Sequence, residues 1–354
     1  MNRSIGTHLA PFDPANNSAR VARQRWEFGS WPRMSSWRED EEQLSDRMSY
    51  ELKRGELFAK GIRRIMLEQV DAAAAILTDP RRAGGVDRSI HEARKRFKRI
   101  RSALRLGRNT LGKRQYRREN KRFRELGSLL ALPRERAVAV LTLDRLSAAS
   151  SSTPGELAFP ELRAHLIELR VAAVWHTVER DRSIRQVSRR LRKARRELKG
   201  LSIRNRSELA WRDALTRAYR AGRVQMRHAD LDGSPEVFHE WRKEVKHLRY
   251  HLDVLKRAWT GQLDRAETLL HELSDLLGLQ HDLVDLRWHL DNSPASRSTA
   301  RRREEACRLH TLIETARLAL ESRALEVGER IYSRKPKAVV KRVVSCWRSW
   351  QRYG

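Results

Sequence analysis

Two segments of the chain begin with His-Glu, the dipeptide that opens the zinc-binding helix of many hydrolases. They read HEARKRFKRIRSAL, residues 91–104, and HEWRKEVKHLRYHL, residues 239–252. A zinc helix places a second histidine four residues after the first, so that both rings reach one metal ion. Lys95 and Lys243 occupy that position here. The two segments therefore predict neither a metal site nor the catalytic residues of a metal hydrolase.

Both segments instead predict a helix with one basic side and one apolar side. At about 100° per residue, Phe97 and Trp241 lie on the apolar sides, which we expect to face a core. The basic side of the first helix, the first basic stripe, consists of His91, Arg94, Lys95, Lys98, Arg101 and Arg105. The second basic stripe consists of His239, Arg242, Lys243, Lys246 and Arg249. Glutamates fall on the flanks, and the second stripe offers a row of phosphate-binding groups about 15 Å long.

The whole chain carries a large excess of positive charge. Its 354 residues include 75 Lys and Arg against 45 Asp and Glu, which gives a net charge of +30. Such a field attracts polyanions, and composition does not choose among nucleic acid, anionic lipid and polyphosphate. A basic helix face is ordinarily a solvated surface. Two similar stripes without acids at their centres favour a binding surface, because a bound polyanion would relieve the repulsion along each of them.

The elements that position the stripes are predicted to be helices. Gly and Pro are sparse, at 17 and 10 residues, and apolar residues recur at spacings of three and four. The fold is therefore predicted to be all-α. The basic segments lie 148 residues apart, and LLALPRERAVAVL at 129–141 returns as LLGLQHDLVDLRW 147 residues later. This spacing predicts one helical unit present twice, over residues 49–199 and 200–354, after a disordered tail at 1–48.

The remaining composition predicts a soluble protein of a reducing compartment. Only two cysteines occur, Cys307 and Cys346, too few for a disulfide framework. The first residues contain no apolar segment typical of a secretory signal, and no apolar run is long enough to span a bilayer. We expect a cytoplasmic location and no membrane partner, and the sequence leaves the oligomeric state open.

The motif H-E-x-R-K-x-x-K-x-x-R, present twice, resembles the signature of the CHAD domain, a histidine-marked α-helical domain. Supporting segments are Tyr219–Arg223, LGLQHD at 277–282 and GERIYSRKPKAVVKRVVSCWRSW at 328–350. The resemblance covers about residue 50 to the C-terminus. It implies two internally repeated antiparallel four-helix bundles with a basic central groove or pore that binds inorganic polyphosphate. It also implies association with polyphosphate granules, and a polyphosphate-binding site formed by both basic stripes and Arg223.

The chain departs from the family pattern in places. The family often has Arg-Asp at a turn where this chain has Arg134-Glu135 and His281-Asp282, so the contribution of Arg134 and His281 to the site stays open. Pro133 is expected to delay or kink the helix that contains it. Some family members also carry a triphosphate tunnel module, and this sequence contains neither the E-x-E-x-K motif nor the β-rich segment typical of that module.

Three functions follow from these residues as hypotheses. The first is non-enzymatic binding of polyphosphate, which needs only fixed cations along a path. The second is nucleic-acid or general polyanion binding, for which RRLRKARRELKG at 189–200 is a further basic helix. The third, an enzyme, is disfavoured because the stripes contain neither metal-binding carboxylates nor a nucleophile beside a base, and no glycine-rich phosphate loop occurs. We therefore predict a binding protein with no cofactor and no catalytic residue.

Overall fold

Helices make up all the regular secondary structure in the part of the chain that the computed structural model describes, residues 50–150, 158–203, 209–258, 264–293 and 298–353. They are α1 (Phe58–Thr78), α2 (Val86–Leu106), α3 (Arg108–Leu111), α4 (Lys113–Ser128), α5 (Ala131–Ser150), α6 (Pro160–Trp175), α7 (Ser183–Lys199), α8 (Arg212–Asp232), α9 (Pro235–Leu255), α10 (Asp264–Asp291), α11 (Ala300–Tyr332) and α12 (Pro336–Tyr353). The all-α prediction is confirmed. The predicted tail at 1–48 lies outside the described residues. None of the helices described is both long and apolar enough to cross a membrane.

The helices of the second half, α8 to α11, pack as a group of four. Helix α8 contacts α9, α9 contacts α10, α10 contacts α11, and α11 returns to α8. Short connections favour this arrangement, because they make consecutive helices neighbours in space. Helix α12 packs against α8.

The first half is assembled from more pieces. Helix α1 contacts α2 and α7, α2 contacts α4 and α5, and α5 contacts α6. An ion pair between Arg122 on α4 and Glu197 on α7 joins the two ends of this series. Whether the two halves are copies of one unit, with boundaries at 49–199 and 200–354, stays a prediction.

The two helices that carry the basic stripes, α2 and α9, contact each other. Their apolar sides lie in the core as predicted, since Phe97 is 1% exposed and Trp241 is 0% exposed. Large side chains fixed in a close-packed core set the rotation of a helix about its axis. The basic stripes, on the opposite sides, are therefore held in a defined orientation. Helix α5 also contacts α2 and α10, and α10 contacts α9, so α2, α5, α9 and α10 form one contiguous group.

Pro133 accounts for a break between α4 and α5. Helix α4 ends at Ser128 and α5 begins at Ala131. Proline has no N–H to donate to the carbonyl group four residues earlier, which here belongs to Leu129. The corresponding residue of the second half is Gln280, and α10 runs through it without interruption. The expected disturbance of the helix thus takes the form of a new helix start, which places Arg134 in the first turn of α5.

Two glycines allow α11 to lie close to the helices around the second stripe. A Cβ added to Gly328 of α11 would lie 2.7 Å from Cζ2 of Trp241 and 2.9 Å from Sδ of Met226. A Cβ added to Gly222 of α8 would lie 2.8 Å from Cζ of Tyr332. Because Trp241 is on the inner side of α9, this close packing determines where the second basic stripe is presented.

Replacing Gly328 by alanine is expected to lower the free energy of unfolding by about 1–3 kcal/mol, because an extra methyl group forces a close-packed core to shift. Urea denaturation measures this change. Gly278→Ala on α10 is the control, since an added Cβ there meets nothing within 4 Å. That substitution is expected to be neutral or stabilising, because alanine favours a helix more than glycine does. Equal destabilisation of both variants would contradict the packing explanation.

Candidate functional site

Helices α2, α5 and α9 bring basic groups of both stripes together. Lys98 of α2 and Lys246 of α9 interact electrostatically with each other and with Arg242 of α9. Arg94 of α2 and Arg134 of α5 act on Lys98 as well. We call these five residues the central cationic cluster. Three of them belong to the first half of the chain and two to the second, so the cluster exists only when both halves are folded together.

The pKa of Lys98 shows that grouping these cations is unfavourable when no anion is bound. Its pKa is lowered to about 7 by burial among protein atoms and by the positive charges of Arg242, Arg94 and Arg134, while Asp282 acts in the opposite direction. The side chain is nevertheless exposed to solvent. The ammonium group of Lys98 is therefore close to other protein atoms and still accessible to solvent.

Lys246 and Arg242 share this environment. Burial lowers the pKa of Lys246 well below its usual value, and the charges of Arg242 and Lys98 lower it further. Burial also lowers the pKa of Arg242, against the attraction of Asp282 and Asp285. The Nε–H of Arg242 is buried and donates to no acceptor among the described residues.

A histidine pair borders the cluster. Nδ1 of His239 lies 3.3 Å from Nδ1 of His281 on α10, and the ring centroids are 4.6 Å apart. Burial and Arg242 lower the pKa of both rings, to about 2 for His281. Nε2 of His281 lies 3.4 Å from Oδ2 of Asp285, whose pKa is raised to about 6 by burial and by Asp282. Both rings are therefore neutral at pH 7, and within the pair the Nδ1–H of one ring donates to Nδ1 of the other.

The N-terminal members of the two stripes have acidic partners on their own helices. Nζ of Lys95 and Nε2 of His91 each lie 3.8 Å from Oε1 of Glu92. Nζ of Lys243 donates to Oε1 of Glu240 at 2.5 Å. The flanking glutamates thus reach the beginning of each stripe, which helical spacing alone did not predict. Their charges offset part of the positive charge there and leave the strongest excess at the central cationic cluster.

The C-terminal members of the first stripe contact neighbouring helices. Nε of Arg101 donates to Oδ1 of Asn120 on α4 at 3.1 Å. Nη1 of Arg105 lies 3.7 Å from Oε1 of Glu244, so an ion pair joins α2 to α9 beside the cluster. Burial, followed by the charge of Arg105, lowers the pKa of Arg101. This end of the stripe serves the packing of the two basic helices as well as their charge.

Two further predicted site residues differ in their distance from the cluster. Arg249 acts electrostatically on Lys246, while its Nη1 donates to Oγ of Ser274 at 3.2 Å and lies 3.6 Å from Oδ1 of Asp275. Arg223 lies on α8, where its charge acts on Tyr219. The structure therefore places Arg249 at the edge of the cluster and Arg223 on a separate helix.

Of Arg134 and His281, whose contribution the sequence left open, Arg134 belongs to the central cationic cluster and His281 borders it. Arg134 acts on Lys98 from α5, and His281 pairs with His239 from α10. The signal was the parallel between LLALPRER and LLGLQHDL, because helices that carry similar segments also contact each other here. Asp282 and Asp285 were not predicted as neighbours of the cations. They come from α10, which sequence spacing does not relate to the stripes.

The arrangement is suited to holding a chain of anionic groups. Cations approach from α2, α5 and α9, and two neutral histidines add hydrogen-bonding groups at one border. Arginine and lysine form charge-assisted hydrogen bonds with phosphate oxygens, which are among the strongest that proteins make. Within the residues described, no group of three or more His, Cys, Asp or Glu side chains could hold a metal ion.

Most of the chain is similar to known proteins. A family model described as the CHAD domain matches residues 64–291, a range that includes both basic stripes. Among solved structures, the chain is similar to the CHAD domain from the plant Ricinus communis, with 15% sequence identity and a TM-score of 0.48. That match covers 85% of this chain and 93% of that one. No curated protein matches the chain.

Proposed function

We propose that this chain, which belongs to the CHAD domain family, binds inorganic polyphosphate at its central cationic cluster and does not cleave it. The observation that carries the proposal is the grouping of Lys98, Lys246 and Arg242, in which burial, and after it the mutual repulsion of these cations, lowers the pKa of both lysines. Groups held together against their own repulsion gain free energy when an anion neutralises them. Polyphosphate, a linear chain with one charge per phosphate, supplies that neutralisation within a small volume.

The accessibility of the cluster favours polyphosphate over nucleic acid. Lys246, Arg242, Arg94 and Arg134 are only partly exposed. A bare phosphate chain reaches partly exposed side chains between helices more readily than a wide, rigid duplex does. Proteins that bind single strands present exposed aromatic rings on which bases stack. Phe97 and Trp241 are buried in the core, and the ring of Tyr250, which is only partly exposed, is covered by the guanidinium group of Arg249.

Competition binding tests the choice of ligand. Labelled polyphosphate is bound to the full chain, and unlabelled polyphosphate, single-stranded DNA or duplex DNA is added at one ionic strength. We expect polyphosphate to displace the label at a phosphate concentration at least about tenfold lower than either DNA, because its bare phosphates reach partly exposed cations that a duplex, or a strand carrying bases, reaches less well. Displacement at equal phosphate concentrations would show a general polyanion binder and would overturn the proposal.

A second assay tests the proposed absence of catalysis. The structure brings Asp282 and Asp285 close to Arg242, so carboxylates do lie near the cations. Metal-dependent phosphoryl transfer needs such groups arranged around an ion and aligned with a nucleophile. We expect no release of phosphate from polyphosphate above the protein-free rate when magnesium or manganese is added. Release that is lost in Asp282→Asn would assign an enzyme instead.

The location of the protein in cells follows from the proposed ligand. We propose a cytoplasmic protein that collects on polyphosphate granules. A fluorescent fusion expressed in bacteria that accumulate polyphosphate is expected to form foci that coincide with stained granules. Cells unable to make polyphosphate are the control, and foci that persist in those cells would contradict granule targeting.

A further inference from the structure

Helix α7 presents a second basic surface, separate from the central cationic cluster. The helix contains eight Arg and Lys residues and one acidic residue, Glu197. Leu191 and Leu198 on its apolar side are fully buried, and α7 packs against α1. The outer basic surface consists of the exposed cations Arg185, Arg189, Arg190, Arg192, Lys193, Arg196 and Lys199.

Spacing places these cations in one continuous row. Arg185, Arg189, Arg192, Arg196 and Lys199 follow one another at intervals of four and three residues, so they share one side of the helix. The row is about 21 Å long at a rise of about 1.5 Å per residue. None of these side chains forms an ion pair with a described residue, and Glu197 is bound by Arg122 of α4. No ion pair within the described part of the fold therefore offsets the repulsion along the row.

The outer basic surface differs from the central cluster in accessibility. Its seven cations are all exposed on one helix, whereas most of the cluster is partly buried. A rigid duplex reaches partly buried side chains between helices poorly, but it can lie along an exposed helix. Duplex DNA carries one charge per about 1.7 Å of its axis, so a row of this length faces several phosphates on both strands.

Other partners fit this surface less well. A helix that binds a membrane inserts large apolar side chains into the lipid boundary. The large hydrophobic residues exposed on the described surface include none from α7. Proteins that bind single-stranded nucleic acid use exposed aromatic rings, and α7 contains no aromatic residue. The remaining chemistry is contact with the phosphate backbone of a duplex, without recognition of base sequence.

We propose that the outer basic surface of α7 binds the backbone of duplex nucleic acid. Because this surface and the central cluster are distinct sets of side chains, one molecule can hold a duplex and polyphosphate at the same time. The inference concerns a separate surface and a separate ligand, so it does not depend on polyphosphate being the ligand of the cluster.

Charge reversal of the row tests the proposal. Binding of a labelled 20-base-pair duplex of arbitrary sequence is measured for the full chain and for Arg189→Glu/Arg192→Glu/Arg196→Glu at one ionic strength. We expect the variant to lose duplex affinity by at least about 30-fold, since three phosphate contacts become repulsive. Its polyphosphate affinity should change by less than about threefold, because the cluster is intact. Circular dichroism confirms that the variant is folded.

A matched variant separates location from net charge. Lys337→Glu/Lys341→Glu/Arg348→Glu on α12 changes three exposed cations by the same total charge. It is expected to retain duplex affinity within about threefold. Equal losses in both variants would show that binding follows net charge alone and would overturn the proposal.

Two further arms identify the ligand. Lys98→Met/Lys246→Met should bind the duplex with the same affinity as the unaltered chain. If this variant lost as much duplex affinity as the α7 charge-reversal variant, the duplex and polyphosphate would share one site. Vesicles containing anionic lipid are the membrane probe. If α7 charge reversal abolishes vesicle binding but leaves duplex binding unchanged, the surface belongs to a membrane and the proposal is wrong. Failure of polyphosphate binding to respond to Lys98→Met/Lys246→Met would refute the proposed function alone.

Discussion

Replacing both Lys98 and Lys246 by methionine is expected to abolish high-affinity polyphosphate binding and to make the folded protein more stable. Both lysines have pKa values well below the usual value of a lysine side chain. Losing two cations reduces the number of counterions exchanged on binding, so affinity should fall by at least about 100-fold at moderate salt. Fluorescence anisotropy with labelled polyphosphate measures this loss.

The gain in stability has the same origin as the loss of binding. A lysine whose pKa is lower in the folded state than in the unfolded state destabilises the fold at every pH where the unfolded lysine is charged. Methionine has a similar length and no charge, so it removes this penalty. We expect the midpoint of thermal unfolding at pH 6.5 to rise by about 2 °C or more. The difference should shrink as the pH rises toward 10, because the folded protein then releases the protons from these lysines.

A charge-matched control distinguishes the cluster from the protein's general positive charge. Lys60 and Lys337 are exposed lysines outside the stripes, and Lys60→Met/Lys337→Met removes the same two charges. That variant should keep polyphosphate affinity within about threefold and should not gain stability. If the central variant binds as tightly as the unaltered chain, the cluster is not the site. If the central variant binds weakly but is less stable than the unaltered chain, the two lysines do not destabilise the fold.

The part of the site that could be predicted from sequence is the part encoded by helical spacing. Phe97 and Trp241 are buried in the core, and their burial fixes the rotation of α2 and α9 about their axes. That rotation determines which cations lie on the side of each helix opposite the core. Spacing within one helix does not say which other helix faces it. For that reason the pairing of Lys98 with Lys246, although both residues were predicted, became visible only in the structure.

The acidic and histidine neighbours of the cluster could not be predicted from the sequence, because they belong to other helices. Asp282 and His281 reach the cations from α10, and Arg134 reaches them from α5, through contacts between helices far apart in the chain. Glu92 was placed on the flank, but its side chain is long enough to lie 3.8 Å from Nζ of Lys95. Rotation on a helical projection gives the direction of a Cβ, and flexible side chains then select partners within several ångströms of it.

Polyphosphate affinity is expected to decrease as the pH rises from 7 to 9. In the free protein the pKa of Lys98 is about 7, and that of Lys246 is also well below its usual value. Bound phosphates favour the protonated amines and raise both pKa values. A group whose pKa rises on binding takes up a proton between its free and bound pKa values, so affinity is complete below the free pKa and is lost above it. One lysine gives a loss of up to about tenfold per pH unit.

The groups facing the two lysines decide the shape of this profile. His281, with a pKa of about 2, stays neutral throughout the range and contributes nothing to it. Asp285, with a pKa of about 6, gains its negative charge between about pH 5 and 7 and therefore adds a smaller loss of affinity on the acidic side. Long polyphosphate chains are the appropriate ligand, because only their terminal phosphates titrate near neutral pH.

Calorimetry at pH 8 in two buffers with different ionisation enthalpies measures the protons taken up on binding. We expect an uptake of at least about half a proton for the unaltered chain. Arginine stays charged at this pH, so Lys98→Arg/Lys246→Arg should bind with little proton uptake and with an affinity that changes less than about threefold between pH 7 and 9. An unaltered chain that binds equally well at both pH values, with no proton uptake, would show that its lysines are fully charged before the ligand arrives. In that case repulsion within the cluster could not be the source of its affinity for polyphosphate.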